Sequence, residues 1–216
     1  VPISRENVLK AVEQARQGEK RNFVQSFDLS VAFRGLDLKK PESRINEEVV
    51  LPHGVGKPQK VVFFAEGELA RRARDAGADL VLGRADIEAL QKDRKRAKEL
   101  ADSNDSFVSQ SDLMPVIGKS LGPILSPRGK MPRPVPPTVD PKPLIERCRK
   151  VARVRMRDQP VIHVRVGIES MTNEQLADNI NAVLDALEHK FEAAIRQISA
   201  IHIKATMGKP VKIEVR

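Results

Sequence analysis

KVVFFA, residues 60–65, decides how the chain must be read. It is a continuous apolar run of β-branched and aromatic residues, the composition of a strand buried on both faces. A helical segment follows, ELARRARDAG, then ADLVLG as a second strand and ADIEALQKDRKRAKEL as a second helix. SFVSQ reads as a third strand and DLMPVIGKSLGPIL as a third helix, imperfect because of Pro115 and Gly118. Strands alternating with helices predict βαβ units and a parallel sheet. SPRGKMPRPVPPTVDPKP then reads as a proline-rich loop, too rigid for a flexible linker and too irregular for an element, and PLIERCRKV closes the block as a helix.

Outward from this block, on both sides, the period changes to two. In FVQSFDLSVAF, residues 23–33, Phe27, Leu29, Val31 and Phe33 share one side, while Ser26, Asp28, Ser30 and Ala32 share the other. RVRMR places Arg153, Arg155 and Arg157 on one face with Val154 and Met156 behind; DQP turns the chain; VIHVRV places Val161, His163 and Arg165 on one face with Ile162, Val164 and Val166 behind. IKATMGKP and VKIEVR read as a closing hairpin, with Ile203 and Ala205 facing one way and His202, Lys204 and Thr206 the other. Two helices cover these strands. Ser4 caps the first, which buries Val8, Ala11, Val12 and Ala15 and ends at Gly18; Thr172 and Gln175 form a capping box for the second, which runs through Leu176, Ile180, Val183, Leu184, Leu187 and Phe191. The expected fold is a discontinuous α+β domain, residues 1–56 and 152–216, with a half-exposed antiparallel sheet and two helices drawn from both chain ends. An inserted α/β, Rossmann-like three-layer domain occupies residues 57–151, with hinges near LPHGVGKP and near residues 150–153.

The 216 residues carry a net charge of +9, and the excess is spread as +3, +4 and +2 over residues 1–60, 61–150 and 151–216. An anionic partner is expected, and its binding face must be assembled by folding, since no segment is a basic tail. With no Trp, no Tyr and 7 Phe, the chain is poor in rings on which single-stranded bases stack, so a nucleic acid would be read by shape, through arginines, hydroxyls and backbone. The lone Cys148 excludes an internal disulfide and a cysteine zinc site, and His53, His163, His189 and His202 show no metal-ligand spacing. KVVFFA is followed by no GxGxxG, and no Walker sequence occurs. No metal and no cofactor are expected. The polar, helical VPISRENVLKAVEQ does not read as a signal peptide and no apolar run approaches the ~20 residues of a membrane span, so a cytoplasmic protein without membrane contact is expected.

The half-exposed sheet gathers the candidate site: Ser26, Asp28 and Ser30, then Arg153, Arg155, Arg157, His163 and Arg165, then Lys204 and Thr206, with Met207, Gly208 and Lys209 in the turn. Two readings stand side by side, a solvated sheet face and an anion-binding one. Three like charges on one strand face repel, and arginine's planar fork suits phosphate, which favours the second. Asp28 either fixes an arginine or accepts a bond from RNA. Glycine at position 208 leaves room for close approach of backbone to a ligand. Arg128, Lys130 and Arg133 in the proline-rich loop are candidates for a second, weaker RNA contact. The competing functional class is an enzyme or nucleotide-binding protein working at the strand ends of the inserted domain.

LPHGVGK, the AGAD of AGADLVLG, KSLGPILSPRGKMP, LADNINAVLDAL and ATMGKP together resemble the large-subunit ribosomal protein L-one family in its archaeal form, in order and over essentially the whole chain. The resemblance implies a noncatalytic protein of two domains, one inserted in the other, on the cytoplasmic ribosome and monomeric when free. It implies binding to large-subunit ribosomal RNA at the mobile stalk beside the transfer RNA exit site, help in releasing deacylated transfer RNA, and repression of its own messenger RNA. It carries RNA contact onto Phe23, Ser26 and Asp28, onto Arg157 and His163, and onto Thr206, Met207 and Gly208. The chain departs from the family pattern at Asn22, where a basic residue is common before the phenylalanine.

Overall fold

The computed structural model describes residues 4–18, 21–35, 45–156, 159–190 and 198–214. Contacts divide the chain into two units, Val1–Lys57 with Lys150–Arg216, and Pro58–Arg149. The terminal unit holds helix α1 (Arg5–Arg16), strands β1 (Ser26–Phe33), β2 (Asn46–Val50), β7 (Val151–Arg155), β8 (Val161–Ile168), β9 (Ile198–Ala205) and β10 (Val211–Ile213), and helix α8 (Asn173–Lys190). The inserted unit holds β3 (Val61–Phe64), β4 (Leu80–Leu82), β5 (Ser106–Gln110) and β6 (Arg133–Val135). Its helices are α2 (Gly67–Asp75), α3 (Arg84–Lys92), α4 (Arg94–Ser103), α5 (Met114–Ser120), α6 (Gly122–Arg128) and α7 (Pro141–Lys150).

In the terminal unit an antiparallel sheet runs β10-β9-β1-β8. Its central strand, β1, alternates as its sequence requires: Phe27, Leu29, Val31 and Phe33 are buried and the residues between them are not. Those side chains join Val8, Ala11, Val12 and Ala15 of α1 and Leu176, Ile180, Val183 and Leu187 of α8 in one core. Each full burial of a large apolar side chain contributes about 1.5–3 kcal/mol, so one-sided patterning alone fixes which face is covered. The Thr172–Gln175 capping box forms: Gln175 N donates to Thr172 Oγ1 at 3.2 Å and Thr172 N donates to Gln175 Oε1 at 3.1 Å. Ser4 does occupy the cap position of α1, yet its hydroxyl makes no capping bond, and its carbonyl accepts from Asn7 and Val8 instead. Phe191 and Arg157 lie outside the described residues.

One expectation is corrected here. Residues 151–155 do not form a ladder with residues 161–166. Strand β7 pairs antiparallel with β2 in a separate two-stranded sheet, setting Glu48 opposite Arg153 and Asn46 opposite Arg155. Opposite charges across a ladder attract, whereas β8 would have offered Arg153 and Arg155 only His163 and Arg165.

The inserted unit is parallel throughout, in the order β4-β3-β5-β6. All four residues of β3 are buried. Val61 and Phe63 pack with Leu69 and Ala73 of α2 and Ile145 and Cys148 of α7, while Val62 and Phe64 pack with Ile87, Leu90, Ala97, Ile117 and Leu125 of α3 to α6. This is the three-layer arrangement that a doubly apolar strand demands. Three details escaped the sequence. The second helix breaks at Asp93, whose carboxylate accepts from Lys95 N and Arg96 N and so starts α4. The third breaks at Leu121 into α5 and α6. The proline-rich loop contributes β6, with Pro134 tolerated because the strand is an edge.

The LPHGVG turn is bound within the terminal unit by one buried side chain. Asn179, fully buried in α8, accepts from His53 N at 3.1 Å and donates to Gly54 O and Val166 O at 2.8 Å each. Gly56 has φ +79, and a Cβ there would lie 2.4 Å from Ile168 Cγ1. Asn179→Ala strands the carbonyls of the buried Gly54 and Val166 and frees His53 N, and we expect it to lower unfolding stability by about 3 kcal/mol, read from urea midpoints at unchanged slope.

Candidate nucleic-acid interface

The uncovered face of the four-stranded sheet is organised in rows by the register of β1. Asp28 lies opposite Arg165 on β8 and Lys204 on β9; Ser30 lies opposite His163 on β8 and His202 on β9. These side chains, with Thr206, line a shallow depression of about 660 Å³. Among the described residues Asp28 makes no ion pair within 4 Å, and it sits between two cations across the ladders. The row therefore carries a net positive charge with an acceptor at its centre, and the carboxylate spaces Arg165 from Lys204, two charges that would otherwise repel across it.

At one end of this face the two chain termini are joined. Ser26 N donates to Thr206 Oγ1 at 3.0 Å, Thr206 N donates to Ser26 O at 3.0 Å, and the two hydroxyls lie 3.0 Å apart. The next residue continues the clasp, Met207 N donating to Gln25 Oε1 at 3.2 Å. Gln25 is itself buried, its N–H donating to Glu169 Oε2 and its carbonyl accepting from Glu169 N. Sequence reasoning missed Gln25, although a signal existed: it is a polar residue at the inward parity of Phe27 and Leu29. Gly208 N donates to Ala205 O, and a Cβ at Gly208 would lie 3.2 Å from Ala205 Cβ. The missing side chain thus seats the turn on its own strand.

Phe23 is 51 % exposed, Val24 65 % and Met207 62 %, so Phe23 does not belong to the core. The Gln25 bond holds Met207 beside the segment that carries Phe23 and Val24, an apolar rim at the end of the polar depression. Lys209 is exposed in the same turn. Arg153 and Arg155 are not brought onto this sheet; they belong to the β2–β7 ribbon. Among the described residues, the guanidinium that the fold does place there is Arg165.

The basic residues of the proline-rich loop have internal duties. Arg128 Nε donates to Asp102 Oδ1 at 2.8 Å, and Lys130 Nζ donates to Ala101 O at 2.8 Å and Asn104 O at 2.7 Å. Both therefore tie the loop to the C-terminal end of α4, where a cation complements the helix dipole. Arg128 also holds the Asp102 carboxyl below the usual carboxylate range. Arg133 lies in β6.

The strand ends of the inserted sheet are closed by side chains of the same unit. The order β4-β3-β5-β6 puts the crevice expected of a nucleotide site beyond β3 and β5. There Gln110 Oε1 accepts from Glu66 N at 3.2 Å, Glu66 Oε1 accepts from Arg84 N at 3.2 Å, and Gln110 Nε2 donates to Asp112 Oδ2 at 2.9 Å. The backbone N–H groups of Glu66 and Arg84 at this crevice are thereby engaged. Among the described residues no cluster of His, Cys, Asp or Glu could hold a metal ion, and no helix is long and apolar enough to cross a membrane.

Comparison with known proteins decides the class. Residues 10–209 match the Ribosomal protein L1p/L10e family. The chain belongs to this family. It is 43 % identical over 212 residues to the large ribosomal subunit protein uL1 of Archaeoglobus fulgidus, covering 98 % of this chain and 99 % of that protein. It is 45 % identical over 209 residues to uL1 of Methanothermobacter thermautotrophicus and 48 % over 209 residues to uL1 of Methanobrevibacter smithii, each match covering 96 % of this chain and 99 % of the relative. As a member of the L1p/L10e family this is a ribosomal protein and not an enzyme. The two-layer terminal unit with its inserted α/β unit is that family's fold.

Burial pushes the Cys148 thiol above its ordinary pKa. The free cysteine of this L1p/L10e protein should therefore react with a disulfide reagent at pH 8 far more slowly in the native chain than in urea, followed by thiolate release. Thr206→Ala removes the hydroxyl that meets Ser26 N, and it should lower stability by about 1–2 kcal/mol in the same urea titration.

Proposed function

We propose that this chain is a large ribosomal subunit protein that grips folded ribosomal RNA with the uncovered face of its four-stranded sheet and the Thr206–Lys209 turn. The observation that carries the reading is the Ser26–Thr206 clasp, which sets hydroxyls, bare backbone and an exposed methionine beside a row of cations. Arg165 and Lys204 would supply sequence-independent attraction to phosphates. Ser30, the backbone of the turn and the Asp28 carboxylate are short groups able to meet 2′-hydroxyls across the shallow minor groove of an RNA helix. His163 and His202 flank Ser30 and offer ring faces and N–H donors. The apolar rim of Phe23, Val24 and Met207 would cover an unstacked base or sugar.

In this reading the RNA is the mobile stalk beside the transfer RNA exit site, and the protein assists departure of deacylated transfer RNA. A similar structure in its own messenger would allow it to repress its own translation. The support is its membership of the L1p/L10e family and its similarity to the archaeal uL1 proteins. The protein would act at the ribosome, in the cytoplasm, as a monomer when free.

Filter binding to a structured stalk fragment tests the site. Met207→Ala, at an exposed position, should weaken binding at least tenfold and leave the melting temperature unchanged. Arg165→Gln and Lys204→Gln should each reduce the slope of log affinity against log salt by about 0.7–0.9. Wild-type affinity and slope in all three variants would remove the sheet face from the binding site.

A further inference from the structure

The inserted unit concentrates its charge in one place. Residues 58–149 hold 17 Lys and Arg and 13 Asp and Glu, and the seven residues 92–98 hold five of those cations and one of the anions. The remainder of the unit is balanced. The cluster is the corner between α3 and α4: Lys92 ends α3, and Arg94, Lys95, Arg96 and Lys98 lie in the opening turns of α4, all exposed. The one carboxylate, Asp93, is turned inward on Lys95 N and Arg96 N. Of the two acids on α4, Asp102 is already paired with Arg128, and Glu99 lies one turn beyond Lys95.

This placement opposes the local preference of a helix. The first turn of α4 contains no acid, and its three consecutive cations face the positive end of the helix dipole. The two preceding helices do carry an acid there, Glu68 in the first turn of α2 and Asp86 in that of α3. An exposed corner that gathers five cations around one capping carboxylate is suited to an anion outside the chain.

We infer that the α3–α4 corner is a second RNA contact, seated on the sugar–phosphate backbone of a ribosomal RNA double helix. The inference rests on the proposed function of the sheet face. Its chemistry is that of a sequence-independent contact: compact cations with no aromatic ring among them, suited to phosphates. Such a contact is weak alone. It becomes effective when the terminal unit already holds the same RNA, because the second encounter is then intramolecular. That favours ribosomal RNA over a freely diffusing RNA as the occupant. The cations read from the sequence as a secondary contact, Arg128 and Lys130, lie nearby but are bound to α4.

The test uses the full chain in two versions besides wild type. One carries Arg94→Gln, Lys95→Gln, Arg96→Gln and Lys98→Gln. The other, matched in net charge, carries Arg71→Gln, Arg74→Gln, Lys142→Gln and Arg147→Gln on α2 and α7. Binding is measured to a short stalk fragment and to one extended by flanking duplex, across a salt series, with transfer RNA as a separate probe. The corner variant should bind the short fragment as wild type does. On the extended fragment it should bind at least tenfold more weakly at low salt, with a salt slope smaller by about 2–3. It should melt no lower than wild type, since the removed charges opposed the helix dipole. Wild-type affinity on the extended fragment, an equal loss in the matched variant, an equal loss on the short fragment, or a loss seen only with transfer RNA would each overturn the inference. If wild type itself fails to bind the short fragment, the sheet-face reading fails instead, and the corner is judged on the extended fragment alone.

Discussion

The terminal unit depends on a clasp between residues 180 positions apart in the chain. Ser26 and Thr206 exchange backbone and hydroxyl bonds where β1 and β9 meet, and this fixes one end of a sheet whose strands come from both sides of an insertion. Closing so long a loop carries an entropic penalty that grows only slowly with length, so a 92-residue insert can fold between the two halves without preventing their pairing. Register then does the remaining work. With Phe27 opposite Ala205 on the buried side, Asp28 must meet Lys204 and Ser30 must meet His202 on the open side. A one-residue slip would bury the polar row and expose the apolar one.

The open face is chemically coherent because its charges are interleaved. Asp28 between Arg165 and Lys204 keeps both cations on one surface without placing them side by side. The arginine-rich strand β7 does not join this surface. Its arginines lie opposite Glu48 and Asn46 across the ribbon, where an opposite charge and a neutral amide replace the cations of β8.

Much of this was legible in the sequence. The doubly apolar KVVFFA announced a parallel, two-faced sheet, and the alternation around Phe27 and Ile203 announced a one-sided one, since burial pattern and period are the strongest local signals. Partner choice was not legible. Nothing local distinguishes β2 from β8 as the neighbour of residues 151–155, because pairing is decided by tertiary geometry and by charges far along the chain. The breaks at Asp93 and Leu121 are hidden because helix periodicity continues across them, and the edge strand Arg133–Val135 because three residues set among prolines show no period until a neighbouring strand pairs with them. Of the site, the outward residues of β1, β8 and β9 were read correctly from alternation. Alternation does not single out Gln25, and it does not reveal that Arg128 and Lys130, read as a second RNA contact, each have a partner on α4.

The central claim is that strands from both chain ends present one RNA-gripping face. Backbone amide chemical-shift mapping of the full chain, titrated with a structured stalk RNA, tests it most directly. The account predicts that the largest changes fall together on residues 26–30, 163–165 and 204–209, with little at the solvent side of α1 and α8. Changes concentrated on those helices, with the sheet face unmoved at saturating RNA, would contradict it.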